Sequence, residues 1–322
     1  MTPTPPPADR DLFTAALRLA HHAARTAATA FLDGAWTGGR KPDGTEVTDT
    51  DRAVEEHLRR ELARLTPDDT IHGEEAGTTP GTSGRRWTID PINGTGYFTT
   101  RTPLFTTDLA YQDDHGPALG IVTNPLARQT IAAARGHGCW ILEGPEPDLT
   151  TARPAHVTTR THLTGARTQA HNIAGWPEPL LTTLHHRVHL THSTGITAAL
   201  VTGHTDAGII AGPPMGPEDL APMAVIVPEA GGRITDLDGR PVLAGDTSVL
   251  ATNGPLHDAF LTLIRGLPHR RQLPGATAPT TTDHQPGPHT PSRHKHTYKT
   301  LLHNPHRPKP PPPTPPHTIN PP

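Results

Sequence analysis

The sequence predicts an α/β or α+β layered fold. Three observations carry that prediction. Two amphipathic helical stripes lie before residue 66, an extended stretch runs from Asp90 to Cys139, and helix–strand–helix alternation returns after Ile196. With 322 residues, the chain can bury a sizeable core as one large domain or two packed halves.

The elements follow in chain order. Residues 1–9 are assigned to a disordered N-terminus. Asp11 to Leu32 places Leu12, Phe13, Ala16, Leu17, Leu19, Ala20, Ala23, Ala24 and Ala27 at helical spacing, behind a cap at Asp9 or Asp11. A second helix is predicted from Asp51 to Leu65, with Val54, Leu58, Leu62 and Leu65 on one stripe. Asp90 to Cys139 reads as sheet, with hairpin turns at Asp113–Pro117 and Gly136–Gly138. The stretch Glu143 to Pro179 is loop-rich and marks a boundary between an N-terminal α+β half, residues 10–145, and a C-terminal α/β half, residues 146–266. Within the second half, Ile196–Val201 is read as helix and Asp206–Ile210 as strand. Asp219–Glu229 is read as a helix stopped by Gly231-Gly232, and Pro255–Arg265 as the last helix.

Residues 267–322 form a Pro/His-rich tail that cannot bury enough apolar surface to fold. From Pro268 onward it holds 16 of the 39 prolines and 8 of the 23 histidines. The histidines follow no metal-ligand spacing. The ending "RPKPPPPTPPHTINPP" favours polyproline II, which leaves a PxxP-type partner as one reading of the tail and a disordered appendage as the other.

Charge separates the two regions. The tail has seven Lys and Arg against one acid, Asp283, so the formal net charge of −3 conceals a strongly acidic body. Such a body argues against a nucleic-acid surface and suits one that gathers carboxylates around cations. The single cysteine, Cys139, excludes an intrachain disulfide and a thiolate metal cage. No signal-peptide pattern opens the chain, and no apolar run approaches the roughly 20 residues of a membrane span. A cytoplasmic protein is the expectation.

Four patches carry carboxylates: "KPDGTEVTDTDRAVE" with Asp51 opening a helix, "IHGEEAG" with Glu74 and Glu75, "WTIDPINGTGYF" with Asp90, and "PEDLAPMAVIVPEAGG" with Asp219. Taken singly, an acid at a helix start is an ordinary cap. Taken together, they form a set of oxygen donors. "WTIDPINGTGYF" closely resembles the signature of the inositol monophosphatase superfamily, a strand followed by Asp-Pro-Ile-Asp-Gly-Thr. The "GEEAG", "DGTEVTDTDRAVE" and "EAGG" stretches agree with the family's other motifs in order, from about residue 10 to 265.

The resemblance implies alternating α-β-α-β-α layers of the inositol monophosphatase or sugar phosphatase type. It also implies a Mg²⁺-dependent phosphatase that hydrolyses a small phosphorylated alcohol by metal-activated water attack. Inositol, histidinol, sugar and nucleoside monophosphates are the candidate substrates. Glu74, Asp90 and the Ile92 carbonyl are implied to hold a first Mg²⁺, and Asp90, Asn93 and Asp219 a second. Two or three ions per site are the family's habit. Asp51 and Thr95 are implied to form the hydrogen-bonded pair that helps activate the water, with Glu74 completing the catalytic set. The backbone N–H groups of Gly94 and Thr95 are implied to cradle the phosphate. The resemblance also brings a homodimer.

Three departures stand out. Asn93 replaces an aspartate ligand, which removes a full negative charge and predicts a weakened second metal site. Glu218 stands where a tryptophan usually precedes the downstream aspartate, placing a charge on the substrate wall. Gly96-Tyr97 replaces a small polar residue and Asn beside the phosphate turn. The alternative to an active phosphatase is therefore an attenuated or repurposed relative that binds a phosphorylated metabolite. "SGRRWTIDPINGT" and "EDLAPMAVIVPEAGG" lean toward the inositol- and histidinol-phosphate phosphatases.

Overall fold

A computed structural model describes residues 4–269 except 42, 43, 145, 147, 172 and 213. The chain divides into two units, Met1–Pro274 and Gly275–Pro322, and the second lies wholly outside the described residues. The tail readings from residue 270 onward fall there as well.

Helix α1 (Arg10–Asp33) begins where Asp9 Oδ1 accepts from the N–H groups of Asp11 and Leu12. Strands β1 (Gly38–Arg40) and β2 (Glu46–Thr48) form a hairpin that leads into α2 (Asp49–Leu65). Then come β3 (Thr70–Gly73), β4 (Gly77–Thr79), β5 (Arg86–Asn93), the short α3 (Thr95–Thr99), β6 (Thr106–Asp113), β7 (Gly116–Asn124), β8 (Gln129–Ala134), β9 (Gly138–Glu143) and β10 (Arg153–Pro154). These make an eight-stranded sheet in the order β10-β9-β8-β7-β6-β5-β3-β4. A five-stranded sheet follows, from β11 (Arg167–His171), β12 (His189–His192), β13 (Ala207–Ile210), β14 (Arg233–Thr235) and β15 (Val249–Thr252), ordered β12-β11-β13-β15-β14. Its helices are α4 (Glu178–His185), α5 (Ile196–Val201), α6 (Pro217–Glu229) and α7 (His257–Ile264).

Four apolar clusters give the layering. Phe13, Leu17, Leu58 and Leu62 of α1 and α2 pack on Trp87, Ile89 and Leu109 of the large sheet. Ile131, Ala133 and Ile141, on that sheet's other face, meet Val201, Val225 and Ile226 of α5 and α6. Leu200, Leu220 and Val227 of the same two helices face Ile210, Val249 and Ala251 of the small sheet. Leu180, Leu184, Phe260 and Ile264 of α4 and α7 cover the last face. The order is α-β-α-β-α, because α5 and α6 carry apolar residues on two sides.

The structure departs from the sequence expectations in four places. Residues 6–9 are held: Ala8 is buried, its N–H donates to Arg135 O at 2.9 Å, Arg135 Nε donates to Pro6 O at 2.8 Å, and Asp9 caps α1. The loop-rich stretch 143–179 contains β10 and β11, so the change of sheet falls between Pro154 and Arg167, and both predicted halves lie in one unit. Strand β11, "RTQAH", pairs in parallel with β12 and β13, partners too distant in sequence for a local pattern to reveal. Residues 267–269 belong to the fold, since Leu267 packs on the last core and Gly212 N–H donates to His269 O at 2.9 Å. Among the described residues, no helix is long and apolar enough to cross a membrane.

Candidate active site

β5 carries the centre of the site. It lies between β3 and β6, so Trp87 to Ile92 are buried without a break. Its register with β6 shifts between Asp90 and Asn93, an irregularity that re-aims side chains at the strand's end. Asp90 is 3% exposed, and its Oδ1 is buried with no hydrogen-bond partner. Burial, reinforced by the charges of Glu74, Asp219, Asp108 and Glu218, raises its carboxyl well above the ordinary range.

Glu74 follows β3, whose parallel pairing with β5 delivers it to the same end. Its N–H donates to Ile89 O at 3.2 Å. Lys41, just beyond β1, places Nζ 2.7 Å from Glu74 Oε1 and 2.8 Å from Glu75 Oε1. Burial works against the Lys41 charge, but the hydrogen bonds to Glu74 and Glu75 outweigh it and hold the ammonium above its usual range. Burial likewise pushes Glu75 up to about 7, against the pull of Lys41.

Asp51 does not open α2, as the sequence reading had it. Thr48 is the cap and Asp51 the third helical residue, in a capping box where Asp51 Oδ2 accepts from Thr48 N–H at 2.8 Å and from the Thr48 hydroxyl. That box fixes the carboxyl so that Oδ1 accepts from Thr95 Oγ1 at 3.1 Å. Thr95 Oγ1 is also 3.1 Å from Ile92 O. Burial raises the Asp51 carboxyl, opposed by the Thr48 and Thr95 hydrogen bonds and assisted by Glu74. Gly94 sits between them with φ 96, a left-handed conformation that glycine adopts without penalty. Its carbonyl accepts from Tyr97 and Phe98 N–H, closing the first turn of α3.

Asp219 is also a third helical residue rather than a first. Pro217 starts α6, and Asp219 Oδ2 turns back to accept from Gly216 N–H at 3.0 Å. Its Oδ1 accepts from Asn93 Nδ2 at 3.0 Å, and the same nitrogen donates to Asp108 Oδ2 at 3.0 Å. Burial pushes Asp219 up to about 7 and Asp108 up to about 6. Asp108 was not singled out in the sequence. It is 4% exposed, lies opposite Asp90 on β6, and keeps a buried Oδ1 with no hydrogen-bond partner.

Glu218 precedes Asp219 in the first turn of α6. Its carboxylate lies 3.6 Å from His72 Nε2 and folds over Gly216, where a Cβ would meet it at 1.7 Å. A cavity of about 150 Å³ is lined by Asn93, Tyr97 and Asp108 on one side and by His171, Thr194 and Thr197 on the other, and Glu218 is not part of that wall. Burial holds His171 below its ordinary value. A larger cleft of about 560 Å³ near Pro7 and Asp113 contains none of the predicted site residues. Size alone does not locate the chemistry.

Glu74, Asp90, Ile92, Asn93 and Asp219 thus gather at one sheet end, beside the Asp51–Thr95 pair and the Gly94 turn. Sequence reasoning missed Lys41 and Asp108. The signals were present: Lys41 is the only lysine before the tail, and Asp108 is an acid within the buried stretch of β6. Among the described residues, no three His, Cys, Asp or Glu side chains already converge as a cation cage. Lys41 Nζ and Asn93 Nδ2 occupy the acidic oxygens instead. The donor set still fits a hard divalent cation, because it is built from oxygens and leaves Asp90 Oδ1 and Asp108 Oδ1 buried and unpaired.

Similarity to known proteins agrees with this fold. The family model described as "Inositol monophosphatase family" matches residues 8–269. The histidinol-phosphatase of Mycobacterium tuberculosis is 36% identical over 230 residues, 69% of this chain and 85% of that protein. A protein of Streptomyces griseus named glucose-1-phosphate thymidylyltransferase is 33% identical over 257 residues, 77% of this chain and 96% of that protein. The crystal structure of the extragenic suppressor protein suhB from Bartonella henselae superposes with a TM-score of 0.69 at 20% identity, covering 80% of this chain and 99% of that one. Fold, ordered motifs and family match coincide over one stretch of sequence, and this chain belongs to the inositol monophosphatase family.

Proposed function

We propose that the chain is a Mg²⁺-dependent phosphatase of a small phosphorylated alcohol, with histidinol phosphate as first candidate. The observation that carries this reading is the meeting of Glu74, Asp90, Asn93 and Asp219 beside the hydrogen-bonded Asp51–Thr95 pair. Two ions are expected, one at Glu74, Asp90 and the Ile92 carbonyl, the other at Asp90, Asn93 and Asp219. Bound Mg²⁺ supplies charge neutralisation and acidifies water in such sites. The chain's own groups do the rest. Thr95 has one hydroxyl hydrogen, and Asp51 Oδ1, 3.1 Å away, is placed to accept it, leaving a Thr95 lone pair to orient a water. The Gly94–Thr95 turn offers its N–H groups to the phosphate, and the cavity beyond Asn93 and Asp108 receives the alcohol. A cytoplasmic homodimer is the expected setting.

The name of the Mycobacterium tuberculosis relative supports histidinol phosphate. The test is a comparison of kcat/KM for histidinol phosphate, inositol 1-phosphate and glucose 1-phosphate, the last chosen for the Streptomyces griseus relative's name. Histidinol phosphate is expected to lead by at least tenfold, the size of about 1.4 kcal/mol of differential transition-state binding. Equal values would remove the substrate assignment and keep the reaction class. Asn93 alone favours the alternative, a relative that binds a phosphorylated metabolite without hydrolysing it.

A further inference from the structure

We propose that Asp108 serves the second cation position as a ligand and supplies the negative charge that Asn93 lacks. The inference rests on the metal-dependent reading above and concerns a residue outside the resemblance-derived ligand set.

Register is the first observation. β5 and β6 run antiparallel with Asp90 directly opposite Asp108, so both side chains emerge on the same face of the sheet at the same level. Like charges in that relation destabilise a sheet unless a cation lies between them. Both residues are more than nine-tenths buried, at 3% and 4% exposure, so water does not screen them.

The second observation is what holds Asp108. Asn93 Nδ2 is 3.0 Å from Asp108 Oδ2 and 3.0 Å from Asp219 Oδ1. One small, partly positive group is thus clasped by two carboxylates, one from β6 and one from α6. The Asn93 amide fills the role between them that a carboxylate at position 93 could not, since a third acid there would add repulsion. The third observation is the unpaired atoms. Asp108 Oδ1 and Asp90 Oδ1 are both buried without a hydrogen-bond partner. A buried acceptor left open in this way requires an explanation, and a divalent cation held by these carboxylates would supply one.

The charge count then closes. Asp90, Asp108 and Asp219 offer three carboxylates, the number that an aspartate at 93 would have given with Asp90 and Asp219. The third acid stands not at the end of β5 but on β6 opposite Asp90, and the weakening predicted from Asn93 alone is offset. A purely structural Asp108, present to orient the Asn93 amide, is the competing account, and Mn²⁺ binding in the Asn93→Ala background separates the two: a ligating Asp108 costs further affinity there when changed to Asn, an orienting one does not.

The experiment is calorimetric titration of the full chain with Mn²⁺ alone, without substrate. The variants are Asp108→Asn, Asp108→Ser and the exchange Asn93→Asp/Asp108→Ser. Wild type is expected to bind two ions. Asp108→Asn keeps the tighter event and weakens the other about tenfold or more, and Asp108→Ser does the same. The exchange variant recovers the weaker event. In parallel, the rise in Tm caused by Mn²⁺ is expected to be smaller in Asp108→Asn than in wild type, a readout independent of activity. Unchanged Mn²⁺ affinities in both single variants, with wild type still releasing phosphate, overturn the inference and leave the function standing. No Mn²⁺ binding by wild type overturns both.

Discussion

Asp51→Asn is expected to lower kcat for phosphate release about 10²–10⁴-fold, with KM and Mg²⁺ requirement nearly unchanged. The carboxyl is fully buried and accepts at both oxygens, from Thr48 at one and from Thr95 at the other. An amide at this position keeps one acceptor for the Thr48 cap, so α2 still starts at Asp49. The other position becomes an N–H₂ aimed at Thr95 Oγ1, which can no longer pass its hydrogen there. Stability therefore falls by no more than about 1 kcal/mol, the scale of a cap contact, while the proton path from water through Thr95 is broken. Thr95→Ala tests the same path from its other end. The double variant is expected to be no slower than the worse single one, since the two residues act as a unit. Additive losses in the cycle would show that Asp51 acts elsewhere.

The largest stability effect is expected at Trp87. Trp87→Ala should cost about 3–5 kcal/mol and lower Tm on the order of 10 °C. The indole is 0% exposed, its Nε1 donates to Thr66 Oγ1 at 2.8 Å, and its ring lies 4.3 Å from that of Tyr111. Thr66 ends α2, and the Tyr111 hydroxyl donates to Asp69 Oδ2 at 2.8 Å. The side chain therefore joins α2, β5, β6 and the turn before β3. Trp87→Phe keeps most of the volume and loses the Thr66 bond, a smaller loss of about 1–2 kcal/mol. Urea unfolding followed by far-UV circular dichroism measures both. A loss under about 1 kcal/mol for Trp87→Ala would mean that the joint is not where the structure puts it.

Much of this architecture could be read from the sequence. The α1 and α2 stripes, the β6–β9 hairpins and α6 carry their signals locally, as periodicity, glycine turns and caps. The helix starts at Asp51 and Asp219 were placed two residues late for one reason. In each case the acid is the third helical residue, reaching back to a backbone N–H, and a sequence pattern does not separate that from an acid in the cap position. β11, β12, β14 and β15 escaped because their partners are distant. The site divides in the same way. Asp90, Asn93, Gly94 and Thr95 share one dozen residues and were found together. Asp108 belongs to the site only through the β5–β6 register, and Lys41 only through the β1–β2 hairpin. Glu218 was expected on the substrate wall because it stands where the resemblance has a tryptophan, and its carboxylate lies 3.6 Å from His72 Nε2.

The central claim is that this chain, with Asn93 in place of an aspartate, hydrolyses phosphomonoesters with Mg²⁺. The direct measurement is phosphate release by folded wild-type protein over a Mg²⁺ titration, with an excess of EDTA and Asp90→Asn as controls. Saturable, Mg²⁺-dependent release from at least one substrate, lost in both controls, is the predicted result. No release at any Mg²⁺ concentration from any of the three substrates, by protein with a cooperative unfolding transition, would contradict it.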